Sequence, residues 1–274
     1  MSIKLTILGS GPAIAIPRPG HTDITCRDAR KPGSRSRRRR SSLLIEHRGR
    51  HILIDAGPDV LEQLGLAKIK RPDAVFLTHA HSDAAGGVDD LALFFRGTKD
   101  KPLPLYAESS VLRRITKISA LFHARPKTIL KTVKPKIIHS YKPVILFGLK
   151  IIPLKVEHAL TPGFPTVGYL IGKKIAYISD FASIPLRSFA LLKKTEVLFL
   201  DAAMWFGTKM AAHQNAAEAI SLAEKLGAKK LYLTQIGHNY PSHETAQKEI
   251  TAYCRKNKIK FPVILAYDGL KIKI

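Results

Sequence analysis

The sequence predicts an α/β fold in which two mixed β-sheets pack face to face and helices cover the outer faces. Three observations lead there. Strand-length apolar runs come in hairpins in both halves of the chain. Helical segments are interleaved between them. Histidines and acids recur just past the ends of apolar strands. A plain doubly wound parallel sheet would not begin with hairpins, whereas two packed mixed sheets accommodate them.

The elements follow in order. "IKLTILGSG" (3–11) is a strand ending in a glycine turn, and residues 17–41 form a polar loop rich in Pro, Gly and Arg. "SSLLIEHRGRHILIDAG" (41–57) reads as a hairpin turning at Arg48-Gly49. "PDVLEQLGL" (58–66) is a short helix, and "DAVFLT" (73–78) a buried strand leading into "HAHSD". "DDLALFFRG" (89–97) has helical spacing, "PLPLYAE" (102–108) is a strand, and "SVLRRITKISALF" (110–122) a helix. Residues 126–156 alternate Lys with apolar residues and form several short strands. "TVGYLIGKKIAYISD" (166–180) is a second hairpin, turning at Gly172-Lys173, and "EVLFLDAAM" (196–204) another strand. "NAAEAISLAEKLGA" (215–228) is an amphipathic helix stopped by Gly227. "KKLYLTQIGH" (229–238) is a strand and loop. "SHETAQKEITAYCRKN" (242–257) is a helix with Ser242 placed to cap it. "FPVILAYDGLKIKI" (261–274) reads as a closing hairpin at Asp268-Gly269.

Composition bounds the function. A chain of 274 residues with 45% hydrophobic content supports a packed core and suits one domain over 1–274. There is no apolar signal-type segment and no run of about 18 apolar residues, so a cytoplasmic protein without a membrane partner is expected. Two cysteines, Cys26 and Cys254, exclude a disulfide framework. The 45 Lys and Arg against 21 Asp and Glu give a net charge of +24, which favours anionic partners, RNA or a phosphorylated small molecule. The charge is concentrated in the basic loop 27–41 and in 109–156, which has eleven Lys and Arg and no acid. No aromatic interleaving of RNA-recognition type accompanies these runs.

In "THAHSDAAGG", His79 and His81 are two apart and share a side if the segment is extended, with Asp83 beside them. Imidazole and carboxylate are ligands for Zn, Mn or Fe. The triplet alone also fits surface histidines at a helix N-terminus. His158, Asp180, His213 and His238 each lie at or past the end of an apolar strand, where loops gather in such sheets, and this repetition favours a metal centre.

With "ILGSG", "LIDAG", "THAHSDAAGG", "VEHA", "ISD" and "LTQIGH" in this order, the chain resembles the metallo-β-lactamase superfamily over almost its whole length. Within it, the chain looks most like the branch of phosphoribosyl cyclic-phosphate phosphodiesterase and the tRNA 3′-processing ribonuclease. The resemblance implies the αββα fold. It also implies that His79, His81 and His158 hold a first metal, that Asp180 bridges two metals, and that Asp83 serves the second. Ala84 and Gln235 stand where the family has histidines of the second metal. The expectation is therefore one main divalent metal, Zn with Mn or Fe as alternatives. By the same resemblance His21, Asp23 and Cys26 fall on the three cysteine positions of a structural zinc loop, with His238 as fourth ligand. A metal-free loop is the other reading, and it would free His238 for the active site.

The functional expectation is a metal-dependent hydrolase of a phosphodiester, a cyclic phosphate or nucleotide-like molecule. Asp83 would act as base or orient water, and His213 would protonate the leaving group. Arg38, Arg39 and Arg40 would bind the anionic substrate. The alternatives are an RNA-processing nuclease, a β-lactam hydrolase, and a non-catalytic relative that binds nucleic acid or a metabolite. The oligomeric state is open, a dimer being compatible with the sequence.

Overall fold

The computed structural model describes residues 2–98, 100–118, 129–158, 164–193 and 195–274. Two seven-stranded sheets form the centre. The first runs in the order β14-β1-β2-β3-β4-β5-β6, built from β1 (Lys4–Gly9), β2 (Ser42–His47), β3 (Arg50–Ile54), β4 (Ala74–Phe76), β5 (Leu103–Glu108), β6 (Val133–Ile138) and β14 (Lys271–Lys273). The second runs β13-β12-β11-β10-β9-β8-β7, built from β7 (Val144–Leu146), β8 (Leu149–Val156), β9 (Thr166–Ile171), β10 (Ile175–Ile178), β11 (Val197–Asp201), β12 (Lys230–Thr234) and β13 (Val263–Leu265). β3 to β6 are parallel, as are β10 to β13, and the remaining neighbours are antiparallel.

The central strands are buried on both faces, which is why β9 to β12 read as nearly unbroken apolar runs. Leu43, Ile45, Ile52, Ile54, Tyr177, Phe199 and Tyr232 point between the sheets. Their neighbours point outwards: Leu44 and Leu53 under the helices of the first sheet, and Leu198, Leu200, Leu231 and Leu233 under those of the second. The inner layer includes stacked Phe76–Tyr106 and Phe199–Tyr232 rings, 4.5 and 4.8 Å apart. The first sheet carries helices α2 (Val60–Leu66), α4 (Val88–Phe94) and α5 (Ser109–Ile118). The second carries α6 (Leu186–Leu192), α7 (Ala216–Leu226) and α8 (His243–Lys256). The predicted αββα sandwich is the observed fold.

Local chemistry explains the boundaries. Arg48 and Gly49 both have positive φ, the geometry that matches a two-residue turn to the twist of β2 and β3. Asn215 and Glu218 form a capping box at the start of α7, and Gly227 ends it in the left-handed conformation. Four expectations change. The C-terminal segment is not a hairpin, because β13 pairs with β12 and β14 with β1. Asp268 sits at the crossing and accepts from Ser10 N (2.9 Å), Ser10 Oγ (2.8 Å) and Arg39 N (2.7 Å), which draws the chain to the first sheet. The loop 17–41 contains a short helix, α1 (Ile24–Ala29), capped by the Asp23 side chain. Ser242 precedes α8 but its hydroxyl donates to Thr245 Oγ1 (3.0 Å), not to the helix backbone. The helix expected at 110–122 starts at Ser109, and its residues 119–122 lie outside the described residues.

Arg38 is a structural rivet and not a substrate ligand. Its side chain is 2% exposed. Its Nη1 donates to Ser10 Oγ (2.7 Å) and to the Ala266 carbonyl oxygen, and its Nη2 donates to His243 Nδ1 (3.1 Å). Burial pushes its pKa down to about 10, opposed by Asp268, so it remains a cation at neutral pH. His243 must be neutral to accept. Burial first, and then the Arg38 charge, push its pKa down from 6.5 to about 3. The stabilising contribution of neutral His243 is complete above pH 6.5. It is lost as pH falls from there towards 3, where the unfolded chain takes up the proton. Urea unfolding should therefore show Arg38→Met less stable by about 3 kcal/mol. His243→Gln should flatten the acid side of the stability profile below pH 6.5.

Candidate metal centre

The site lies where the C-terminal ends of both sheets meet. Val167 N donates to the Thr78 carbonyl oxygen (3.0 Å), tying the end of β4 to the start of β9. His79 follows β4. His81 precedes the one-turn helix α3 (Ser82–Ala85), and Asp83 lies inside it. His158 follows β8 and Asp180 follows β10. The structure thus brings together the residues that the sequence singled out. His79, His81 and His158 place ligand atoms within 4.8 Å of one another, and so do His79, Asp83 and Asp180, and His158, Asp180 and His213.

The hydrogen bonds fix which nitrogens face the centre. His158 Nδ1 lies 3.1 Å from the Ala212 carbonyl oxygen. A carbonyl only accepts, so Nδ1 carries the proton and Nε2 keeps a lone pair. His79 Nδ1 lies 2.8 Å from Thr78 Oγ1, which is 3.0 Å from both oxygens of Asp55. Thr78 donates to Asp55 and accepts from His79, again leaving a lone pair on Nε2. That Nε2 is buried and has no hydrogen-bond partner among the described residues. A buried acceptor of this kind costs free energy unless something meets it. The donor set of three imidazoles and a carboxylate suits a divalent cation. Burial first, and then the neighbouring imidazoles, push the His79 pKa down to about 3; burial and the Asp180 charge push the Asp83 pKa up to about 6. Asp180 is buried too, yet His79, His158 and His213 hold its pKa below the usual carboxylate value.

Gln235 sits where the family has an imidazole. Its Nε2 lies 2.5 Å from Asp180 Oδ1; since a carboxylate oxygen only accepts, this must be the amide N–H. Its Oε1 lies 3.2 Å from Ser41 Oγ. The residue is 2% exposed and holds φ at +61°, a left-handed conformation costly for a side chain other than Gly. Ala84 is also buried.

Sequence reasoning missed three residues. Asp201 ends β11 and accepts from His213 Nδ1 (2.7 Å), turning the other ring nitrogen to the centre. Burial opposes protonation of His213, but the Asp201 bond raises its pKa to about 9. The apolar run "VLFLD" ending in an acid was the available signal. Asp55 lay inside the quoted "LIDAG". Phe164 stacks on His81 with centroids 4.2 Å apart, and no spacing marked it.

The second cluster forms as well. His21, Asp23, Cys26 and His238 place ligand atoms within 4.8 Å of one another, so His238 lies beside this loop, 3.3 Å from Asp23 Oδ2. Arg39 is held by Glu62 and Asp268. Arg40 is held by Asp59 (2.9 Å), although its charge reaches Asp83. With Arg38 buried, the three arginines do not form the open anion site expected of them.

Residues 50–236 match the beta-lactamase superfamily domain. The chain belongs to the metallo-β-lactamase superfamily. This superfamily member is 33% identical to a diphosphatase of the PhnP family whose crystal structure covers 100% of this chain and 98% of its own, with a TM-score of 0.82. It is 29% identical over 230 residues to the probable metallo-hydrolase YhfI of Bacillus subtilis, covering 76% of this chain and 84% of that protein. It is also 29% identical over 273 residues to an octanoyltransferase of Porphyromonas gingivalis. That match takes in 99% of this chain but spans only about half, 53%, of the relative's length.

The close approach of "LIDAG" to α3 needs a glycine. A Cβ on Gly57 would stand 2.1 Å from the Asp83 carbonyl oxygen, a backbone atom that cannot swing aside. Gly57→Ala should lower stability by about 1–3 kcal/mol in denaturant titration, because the Asp83 backbone must shift to admit the new Cβ.

Proposed function

We propose that this superfamily member is a metal-dependent hydrolase of a phosphodiester or phosphoanhydride, working with one cation at the active centre. The observation that carries the reading is the buried, unpartnered Nε2 of His79 facing His81, His158 and Asp180. The likeness to a diphosphatase of the PhnP family supports the choice of phosphorus–oxygen bonds. His79, His81, His158 and Asp180 would hold the cation, zinc by its donor set. Such a cation supplies Lewis acidity towards a phosphoryl oxygen and makes water easier to deprotonate. Asp83 takes the proton from the attacking water. His213, oriented by Asp201, gives a proton to the leaving oxygen as the phosphorus–oxygen bond breaks. The Gln235 amide on Asp180 and the alanine at position 84 favour a single active-site cation. The second cluster, His21, Asp23, Cys26 and His238, closes a four-ligand shell that suits a structural zinc.

The net charge of +24 keeps RNA as a second reading. Among the described residues no helix is long and apolar enough to cross a membrane. RNA affinity that falls steeply between about 50 and 200 mM salt would favour a nuclease, and affinity unchanged by salt would argue for a small substrate.

Two predictions follow from these roles. His79→Ala should abolish hydrolysis of bis(p-nitrophenyl) phosphate and remove one zinc per chain by elemental analysis. Cys26→Ser should remove a different zinc and lower thermal stability. Persisting activity in His79→Ala would overturn the assignment. Second, His213→Gln should slow turnover by about 10²–10⁴-fold. Asp201→Asn added to it should cost little more, because the two act as one unit.

A further inference from the structure

Phe164 is gripped from both sides. His81 stacks on it at 4.2 Å between centroids and 27° between planes. The Arg114 guanidinium lies over the same ring, with Cζ 4.6 Å from the centroid. Two groups this near one centroid cannot share a face, because each fills the van der Waals space above it. Phe164 therefore lies between the candidate ligand His81 and Arg114. Arg114 belongs to α5, and its charge is felt at His81.

The setting of Arg114 differs from that of the other arginines near the site. Arg39 is paired with Glu62 and Asp268, and Arg40 with Asp59. Among the described residues no carboxylate lies within ion-pairing distance of Arg114. The sequence from 109 to 156 holds no Asp or Glu at all. An arginine resting over an aromatic ring keeps N–H groups available, and a guanidinium can grip phosphate through two parallel hydrogen bonds.

We propose that Arg114, packed over Phe164, binds a second phosphate of the substrate, so that the site selects molecules with two adjacent phosphates over those with one. This rests on the phosphoester reading of the His79–His81–His158–Asp180 centre. It names the substrate class as diphosphate-containing, nucleoside diphosphates and their esters included. Phe164 is the positioning residue, because it touches both His81 and the Arg114 guanidinium.

The test is calorimetric binding of AMP and of non-hydrolysable α,β-methylene-ADP to the zinc-loaded full chain. The wild type should bind the diphosphate analogue at least tenfold more tightly than AMP. Arg114→Ala should shrink that ratio below threefold while zinc content and melting temperature stay unchanged. Arg114→Lys should recover only part of it, since an ammonium neither stacks flat nor binds bidentately. Phe164→Leu, which keeps the charge but removes the aromatic ring, should fall between wild type and Arg114→Ala. A wild type with no preference for the analogue would overturn the proposal, as would an Arg114→Ala protein that weakens both ligands equally. The hydrolase reading fails separately: a wild type that keeps the tenfold ratio but turns over no bis(p-nitrophenyl) phosphate would sink the reaction and leave the diphosphate site standing.

Discussion

The burial of one carboxylate, that of Asp180, governs the arrangement around it. Removing an anion from water costs several kcal/mol unless it is paired and hydrogen-bonded. Asp180 is 4% exposed and meets that cost from several directions. The Gln235 amide reaches Oδ1 at 2.5 Å, and His158 Nε2 stands 4.0 Å from the same oxygen. His79 and His213 pull its pKa down further. Gln235, His158 and His213 come from the second sheet and its loops and His79 from the first, so packing the two sheets together adds His79 to the set. The inner apolar layer between the sheets provides that packing. Fold and site are in this sense one construction: the core sets the distance between strand ends, and the strand ends deliver the polar groups.

Gln235 shows how a buried carboxylate is met by a neutral partner. Its primary amide donates a hydrogen directly to the oxygen. It satisfies the carboxylate without needing an ion to do so. The strained φ of +61° at Gln235, matched by +63° at Asp55, places left-handed backbone at the ends of strands in both sheets. Strain of this kind persists where the surroundings over-determine a conformation. Here the surroundings are Ser41 on the carbonyl end of the amide and Asp180 on the nitrogen end.

Much of this was legible in the sequence because it is local. The hairpin at Arg48-Gly49, the Asn215 cap and the His79–His81–Asp83 spacing are each written within a few residues. What failed to show depends on partners far along the chain. The run Arg38–Arg40 reads as a free anion site from composition, but its acids lie 19, 23 and 229 positions away at Asp59, Glu62 and Asp268. Asp268-Gly269 reads as a hairpin turn from its dipeptide, yet the buried Asp268 carboxylate binds Ser10 near the other end of the chain. The Asp201–His213 pair was half visible. The histidine was found by its place after a strand, while its acid was hidden as the last residue of an apolar run.

The same lesson sharpens the meaning of the charge. A net +24 says that the molecule attracts anions, but not where they bind. Local neutralisation decides that. In the basic loop Arg38, Arg39 and Arg40 are spent within the fold, engaged by carbonyl groups, His243 and acids. The region 109–156 has no acid of its own to spend. Its Arg114 stands one aromatic ring away from His81, and a cation with no carboxylate partner among the described residues keeps its attraction for a phosphate. Specificity on this scaffold then follows from which of many positive groups the fold leaves without a partner.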